Sequence, residues 1–218
     1  TTKQVADLRS WFYRNSIHHF TIGSTSNLLF SDEGLRAPCV QLGNRLSQLT
    51  MYSNIVHVQA GVWVPSLARR LMLAGLTGGE HICGIPGTLG GLVCMNGGSQ
   101  RKGIGSNIFH RFASECNFSY RNSIYQANNE VITSVTLKFS PGKLSNIRQD
   151  MLAILADRSR KFPRKLPSCG SVFKSNPEMY AEIGSPGLII EKLGLKIVLV
   201  IIWSLKPFML LLMGKSFR

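Results

Sequence analysis

Three segments of the chain repeat their apolar residues at the spacing of an amphipathic helix. The first spans residues 2–15, with Thr2 as the predicted N-cap. The second, PSLARRLMLA at 65–74, begins with a proline, which the first helical turn accepts because the missing N–H would have had no partner there. The third is NIRQDMLAILADRSR at 146–160. On the first helix the predicted apolar face consists of Val5, Leu8 and Phe12.

Other segments alternate apolar and polar residues, or concentrate β-branched ones, as strands do. HFTIGSTSNLLFSDEG reads as a short strand, a polar Gly/Ser turn and the start of a second strand. NIVHVQA at 54–60 predicts a half-buried strand, and NEVITSVTLKFSPG predicts another. On that last strand the residues expected on one face are Val131, Thr133, Val135 and Leu137. Pro141 and Gly142 then mark the predicted domain boundary.

Composition limits the classes of partner. A chain of 218 residues with 44% apolar content can bury one large core or two small ones. Its formal charge of +14 attracts polyanions, from nucleic acid and anionic lipid to small ligands with several phosphates. The basic residues are scattered without interleaved aromatics, so we expect no nucleic-acid partner.

Cysteine usage and the N-terminus bear on metals and compartment. The five cysteines form no CxxC or other ligand spacing, so we expect neither a disulfide framework nor a metal site. Residues 1–16 contain no apolar stretch of the secretory kind. Together these features predict a reducing, cytoplasmic location.

Six glycines lie in the stretch GIPGTLGGLVCMNGGSQ at 84–100. Glycine lets the backbone approach a ligand closely, and consecutive amides in such turns bind anions, so a pyrophosphate is a natural ligand. The spacing matches neither the P-loop nor the GxGxxG fingerprint. On composition alone, a pair of tight turns in a small β-rich domain explains the stretch equally well.

The order of motifs favours the functional reading. SNLLFSDEG, AGVWVPSLARRL, GIPGTLGG, MNGG, YRNSIY and PSCGSVF follow one another as they do in the UDP-N-acetylenolpyruvoylglucosamine reductase family, which the chain resembles over residues 1–196. The resemblance implies an α+β fold: an FAD-binding domain of the vanillyl-alcohol-oxidase (PCMH) type, followed by an α+β substrate domain that is incomplete here. It also implies NADPH-dependent reduction of UDP-N-acetylglucosamine enolpyruvate, with FAD as cofactor, by a monomer without a membrane partner.

By this resemblance two loops hold FAD. The first reads GSTSN where the family has GGGSN, and its residues are Gly23, Ser24, Thr25, Ser26 and Asn27. The second runs from Ile85 to Gly98, and its expected contacts are Ile85, Pro86, Gly87, Thr88, Gly90, Gly91, Asn96 and Gly97. Two side chains replace glycines in the first loop, where backbone should touch phosphate, so we expect weak, non-covalent FAD binding. Without the family context, this loop is an ordinary Ser/Thr turn.

The resemblance also assigns residues to substrate and catalysis. Arg121 matches the arginine that stabilises the enol form, with Tyr120 beside it, and Ser171 matches the proton donor. Lys165 and Asn176 match positions that hold the nucleotide diphosphate. Without the motifs, these residues would be read as surface charges and turn residues.

The resemblance ends after Lys196, where the family continues with RIGG and HANFIVN but residues 197–218 are almost wholly apolar up to Met213. A buried strand pair and a tail anchor are two readings. A third is a one-base shift of frame, because shifted codons can encode Asp-Arg-Ile-Gly-Asp-His-Leu-Glu-Ser-Gln-Ala-Ile-His-Ala, which restores the family pattern. We therefore expect three parts: an FAD-binding region at 1–141 without the usual lead-in, a partial substrate domain at 142–196 and an aberrant tail.

The altered tail leaves three functional classes open. The first is a flavin reductase with impaired activity. The second is a non-catalytic remnant that binds FAD or a UDP-sugar. The third is a basic membrane-associated protein, which the apolar tail and the positive charge would both support.

Overall fold

The computed structural model describes residues 1–99, 102–103, 113–128, 130–162, 170, 173 and 175–195. Contacts divide the chain into two compact units. The first contains Thr1–Leu28 and Leu35–Ser168, and the second contains Leu29–Gly34 and Cys169–Arg218. In chain order the helices and strands are α1 (Thr2–Arg14), β1 (Phe20–Ile22), β2 (Cys39–Gln41), β3 (Leu49–Tyr52), β4 (Ile55–Gln59), α2 (Val64–Leu73), β5 (Leu76–Thr77), α3 (Leu89–Cys94), β6 (Gly98–Ser99), β7 (Lys102–Gly103), β8 (Ser134–Lys138), β9 (Ser140–Pro141), α4 (Leu144–Lys161), α5 (Pro177–Ile183) and α6 (Pro186–Lys192).

The central element of the first unit is an antiparallel sheet in the order β3-β4-β8. Val56 of β4 lies opposite Leu137 of β8, and Val58 lies opposite Val135. Val56, Val58 and Leu137 are fully buried, as expected for β-branched and apolar residues on the covered face of a sheet. Strands β1 and β2 form a separate parallel pair, and the first glycine-containing loop directly follows β1.

Helices α2 and α4 contribute to the same hydrophobic core as this sheet. Leu67 and Leu71 of α2 are almost fully buried, and burial of each such side chain contributes roughly 1.5–3 kcal/mol. Helix α4 contributes one apolar stripe at helical spacing, made of Ile147, Met151 and Ile154. Because α4 packs on the first unit, that unit extends past Pro141. The predicted functional domains at 1–141 and 142–196 stay a prediction.

The predicted helices are confirmed, with two corrections on α1. On its predicted apolar face Phe12 is buried, but Leu8 is 40% exposed. Helix α1 begins at Thr2, and its N-cap is Thr1, not Thr2. The Thr1 hydroxyl accepts a hydrogen bond from the Gln4 N–H while the Gln4 side chain reaches back, which is a capping box. Helix α2 begins at Val64, so Pro65 lies within its first turn as expected.

The strand predictions hold for β4 and β8 but not for the region after β1. Strand β8 is shorter than predicted, and Thr136 is buried along with its neighbours Val135 and Leu137. The Thr136 side chain tolerates burial because its hydroxyl hydrogen-bonds His57 Nδ1 at 3.0 Å. Residues 28–30 do not form the predicted second strand; their large side chains are exposed, so no burial favours a strand there.

The alternatives for residues 197–218 lie outside the described residues. Within the described part of the chain, no helix has the length and apolar character needed to cross a membrane.

Candidate functional site

The two loops predicted to hold a cofactor lie against each other in the first unit. The Ser26 hydroxyl, in the loop after β1, donates a hydrogen bond of 2.9 Å to the carbonyl of Pro86 in the second loop. The next residue, Gly87, has φ +145°, a conformation that side chains strongly disfavour. A Cβ at Gly87 would lie 3.2 Å from the Ser26 hydroxyl and 3.9 Å from the Ser24 hydroxyl. The two loops therefore form one continuous surface.

The first loop is fixed at both ends, and its two non-family residues are in unusual states. Gln41 of β2 donates to the Gly23 carbonyl at 3.1 Å, and the Leu28 N–H donates to the Thr25 carbonyl at 3.0 Å. Thr25 has φ +59°, in the left-handed region. The Ser24 hydroxyl is buried and makes no hydrogen bond with any residue that the structure describes.

The second loop is positioned by close packing on the segment that directly follows β4. The Gly90 N–H donates to the Ala60 carbonyl at 2.8 Å, and the Leu89 N–H donates to the Val62 carbonyl at 2.9 Å. A Cβ at Gly90 would come within 2.9 Å of the Ala60 Cβ, so only glycine allows α3 to approach so closely. Gly91, one position later, is exposed.

The far end of the second loop holds the turn that carries Arg121. Ser119 and Asn122 exchange backbone hydrogen bonds, which leaves Tyr120 and Arg121 at the tip. The Asn96 side chain donates to the Ser119 carbonyl at 3.0 Å. The Arg121 guanidinium lies 5.7 Å from the centre of the Tyr120 ring, within range of a cation–π contact.

The same turn is also tied to the C-terminus of α3. The Ser123 hydroxyl and the Gln126 side chain both donate to the Cys94 carbonyl, at 2.5 Å and 3.0 Å. Gln126 donates in addition to the Arg121 carbonyl at 3.2 Å. The position of Arg121 therefore follows the position of α3, which the second loop itself fixes.

Arg158, on α4, is a second cation of this region that the sequence analysis missed. Its side chain crosses Gly84, where an added Cβ would lie 2.5 Å from Arg158 Cδ, and its guanidinium lies 4.9 Å from the centre of the Phe162 ring. Burial lowers the pKa of Arg158, and the nearby charge of Arg121 lowers it further. Helical periodicity alone could not have distinguished Arg158 from the basic residues beside it.

The charges of these two arginines are not balanced by ion pairs among the described residues. Asp157 pairs instead with Lys161 at 2.8 Å and with Arg160 at 3.6 Å. Burial raises the pKa of the Cys83 thiol next to Gly84, so this group stays neutral at pH 7. The region around Gly84 therefore suits an anionic ligand.

The structure brings together some of the predicted residues and does not describe others. Both loops, Tyr120 and Arg121 belong to the first unit. Asn176 belongs to the second unit, where its side chain caps α5 by accepting from the Glu178 N–H at 3.0 Å. Ser171 and Lys165 lie outside the described residues. Among the described residues, no group of three or more His, Cys, Asp or Glu could hold a metal ion.

Comparison with known proteins identifies the family of this chain. Residues 1–114 match the family model of an FAD-binding domain. The chain is 34% identical to the UDP-N-acetylenolpyruvoylglucosamine reductase of Prochlorococcus marinus subsp. pastoris over 89% of its own length and 69% of that relative. The chain belongs to the UDP-N-acetylenolpyruvoylglucosamine reductase family. It is also 40% identical to reductase 1 of Corynebacterium glutamicum, over 80% of this chain and 56% of that relative.

A solved structure supports the same fold. The UDP-N-acetylenolpyruvylglucosamine reductase (MurB) of Thermus caldophilus superposes with a TM-score of 0.69 and 30% identity, over 82% of this chain and 67% of that one. The predicted α+β fold with a PCMH-type FAD-binding domain is therefore confirmed. The chain nevertheless spans only 56% of the length of the Corynebacterium relative.

The residues present fit the phosphates of FAD. The two loops form a joint surface of backbone and hydroxyl groups, and Gly87 and Gly90 are required there by conformation and by close packing. The buried Ser24 hydroxyl faces this junction without a partner among the described residues. A buried hydroxyl normally has a partner, so an acceptor supplied by a ligand suits this position.

Proposed function

We propose that the chain binds FAD and acts in the NADPH-dependent reduction of UDP-N-acetylglucosamine enolpyruvate to UDP-N-acetylmuramate, a precursor of peptidoglycan. Membership of the family supports this proposal, because this chain covers more than two thirds of the length of relatives that carry the name of this reductase. FAD, when bound, supplies the chemistry of accepting a hydride from NADPH and passing it to the enolpyruvyl double bond. Residues of the chain bind and orient the substrate and donate the proton.

One observation carries the proposal: the two loops of the FAD-binding domain are in contact, and the second loop also holds Arg121. The Ser26 hydroxyl joins the two loops by its hydrogen bond to the Pro86 carbonyl. The Asn96 side chain of the second loop donates to the Ser119 carbonyl and so fixes the turn that carries Arg121. A cofactor bound across the loops and a substrate bound at Arg121 would thus share one rigid support. Such preorganisation keeps reacting groups in the geometry that the reaction needs.

We assign the cationic groups to the anionic parts of the substrate. The planar Arg121 guanidinium can hold a developing enolate through paired hydrogen bonds, with Tyr120 beside it. Arg158 adds a second positive charge near Gly84. Lys165 and Asn176 are proposed to contact the diphosphate, as the family motifs imply.

Ser171 is the proposed proton donor to the carbon next to the carboxylate. A hydroxyl is a weak acid, so this role requires a dry pocket and a strongly basic carbanion. Residues 197–218 replace the RIGG and HANFIVN motifs of the family, so we propose that closure of this pocket, and with it turnover, is impaired in this chain.

The test compares flavin binding and turnover in the wild-type chain and two arginine variants. We expect the purified chain to bind FAD and to oxidise NADPH slowly when the enolpyruvyl substrate is added. Arg121→Met should lower substrate-dependent NADPH oxidation by about 10²-fold or more while FAD affinity stays unchanged. Arg148→Met is the matched control, because Arg148 is an exposed arginine on α4.

The outcomes separate the reductase from the non-catalytic remnant. Equal turnover by the Arg121→Met and Arg148→Met variants would contradict the role of Arg121. FAD binding with no turnover in the wild-type chain would support the non-catalytic remnant, and absence of FAD binding would reject the proposed function.

A further inference from the structure

The replacement of glycine by Ser24 in the first loop places a hydroxyl inside the loop junction. Its oxygen is buried and has no hydrogen-bond partner among the described residues. The neighbouring Ser26 hydroxyl already donates to the Pro86 carbonyl at 2.9 Å. Unlike the Ser26 hydroxyl, the Ser24 hydroxyl is therefore free to hydrogen-bond to a ligand, as far as the described residues are concerned.

The surroundings of Ser24 limit what its partner can be. The hydroxyl is 3.9 Å from the position that a Cβ at Gly87 would occupy, so it lies beside the Gly87 backbone of the second loop. A buried hydroxyl without a partner destabilises a protein by about 1–3 kcal/mol. A ligand that brings an acceptor to this point recovers that free energy on binding.

We propose that the Ser24 hydroxyl donates a hydrogen bond to a phosphate oxygen of FAD. This inference rests on the proposed FAD binding and concerns a residue at which the chain departs from the GGGSN pattern. A hydrogen bond to a charged acceptor is stronger than one between neutral groups. The Ser24 hydrogen bond thus replaces the close contact between backbone and phosphate that glycine would allow. It strengthens FAD binding, whereas the loss of glycine by itself predicts weaker FAD binding.

The experiment uses the full chain and titrates it with FAD and with riboflavin, which has no phosphate, by quenching of flavin fluorescence. Ser24→Ala should weaken FAD affinity about tenfold, and Ser24→Gly should weaken it similarly. Riboflavin affinity should not change in either variant. Thr21→Val is the matched control, because the Thr21 hydroxyl is also buried without a described partner but lies on strand β1; its FAD affinity should stay within about twofold of wild type.

Stability without ligand gives a second readout. Removal of an unpartnered buried hydroxyl is neutral or stabilising, so Ser24→Ala should unfold at the same or a higher denaturant concentration than wild type while losing FAD affinity. If the Ser24 hydroxyl had a purely structural role, Ser24→Ala would also unfold at a lower denaturant concentration than wild type.

Four results would overturn the inference. Tighter FAD binding by Ser24→Gly would show that the backbone, not the hydroxyl, contacts phosphate. Equal weakening of FAD and riboflavin would show that Ser24 acts away from the phosphates. Unchanged FAD affinity in Ser24→Ala would remove Ser24 from the site while wild-type binding still supported the proposed function, whereas a wild-type chain that binds no FAD would reject both.

Discussion

Thr25 occupies a backbone conformation that glycine adopts readily. Its φ of +59° lies in the left-handed region, where a β-branched residue is unusual. Such a conformation costs an L-residue about 1–2 kcal/mol, and glycine gives back roughly 0.5–1 kcal/mol of this through its greater freedom in the unfolded chain. The first loop therefore carries local strain that the family pattern GGGSN would not.

Thr25→Gly should raise the free energy of unfolding by up to about 1 kcal/mol. The measurement is equilibrium denaturant unfolding of the ligand-free chain. Thr50→Gly is the matched control, because Thr50 is an exposed residue of strand β3 and glycine there should lower stability. If both substitutions lowered stability alike, the left-handed conformation of Thr25 would not be a source of strain.

At the scale of elements, helix α3 connects the segment after β4 to the turn that carries Arg121. Its first turn is fixed on Ala60, directly after β4, through Gly90, and its last residue, Cys94, accepts the hydrogen bonds that hold the Arg121 turn. A change at the contact between α3 and β4 should therefore affect the protein more than a change on the exposed side of the same helix.

Two glycine substitutions one residue apart test this arrangement. Gly90→Ala should destabilise the chain by about 1–3 kcal/mol, because the new methyl group would overlap with Ala60 in a packed contact. Gly91→Ala is the control, since its nearest neighbour would be the Thr88 hydroxyl at 3.6 Å and alanine favours the helix. Thermal or denaturant unfolding measures both. Similar losses in the two variants would contradict the packing argument.

At the scale of the whole molecule, the largest departure from the family is the apolar segment after Lys196. In the family this region reads RIGG and HANFIVN, and here it reads IVLVIIWSLKPFML at 197–210. Most of the charged and polar groups that a substrate pocket can use are replaced by apolar side chains, and only Trp203, Ser204 and Lys206 in this segment can form side-chain hydrogen bonds.

Restoring the reading frame after Lys196 should raise substrate-dependent NADPH oxidation by about 10²–10³-fold, the usual effect of one electrostatic group in an active site. FAD affinity should change little, because both loops belong to the first unit. Equal turnover by the two chains would show that this segment carries no group that the reaction needs.

Periodicity and motif order could be read from the sequence because both are local. The helical spacing of Ile147, Met151 and Ile154 fixes which face of α4 is buried, whatever that face packs against. The motif order indicated the FAD-binding family for the same reason, since each motif is a short contiguous stretch. The cap of α1 was misplaced by one residue because Thr1 and Thr2 both suit an N-cap, and only the hydrogen bonds of the capping box distinguish them.

Only the tertiary structure decided which distant groups meet. Ser26 and the Pro86 carbonyl are 60 residues apart, so their contact depends on how β1, β4 and α3 pack and not on any spacing in the sequence. Burial of Thr136 and the approach of Arg158 to Gly84 are decided in the same way, by neighbours from remote segments. The state of Ser24 follows too: the sequence establishes that a hydroxyl replaces a glycine, but burial between two packed loops determines that this hydroxyl lacks a described partner.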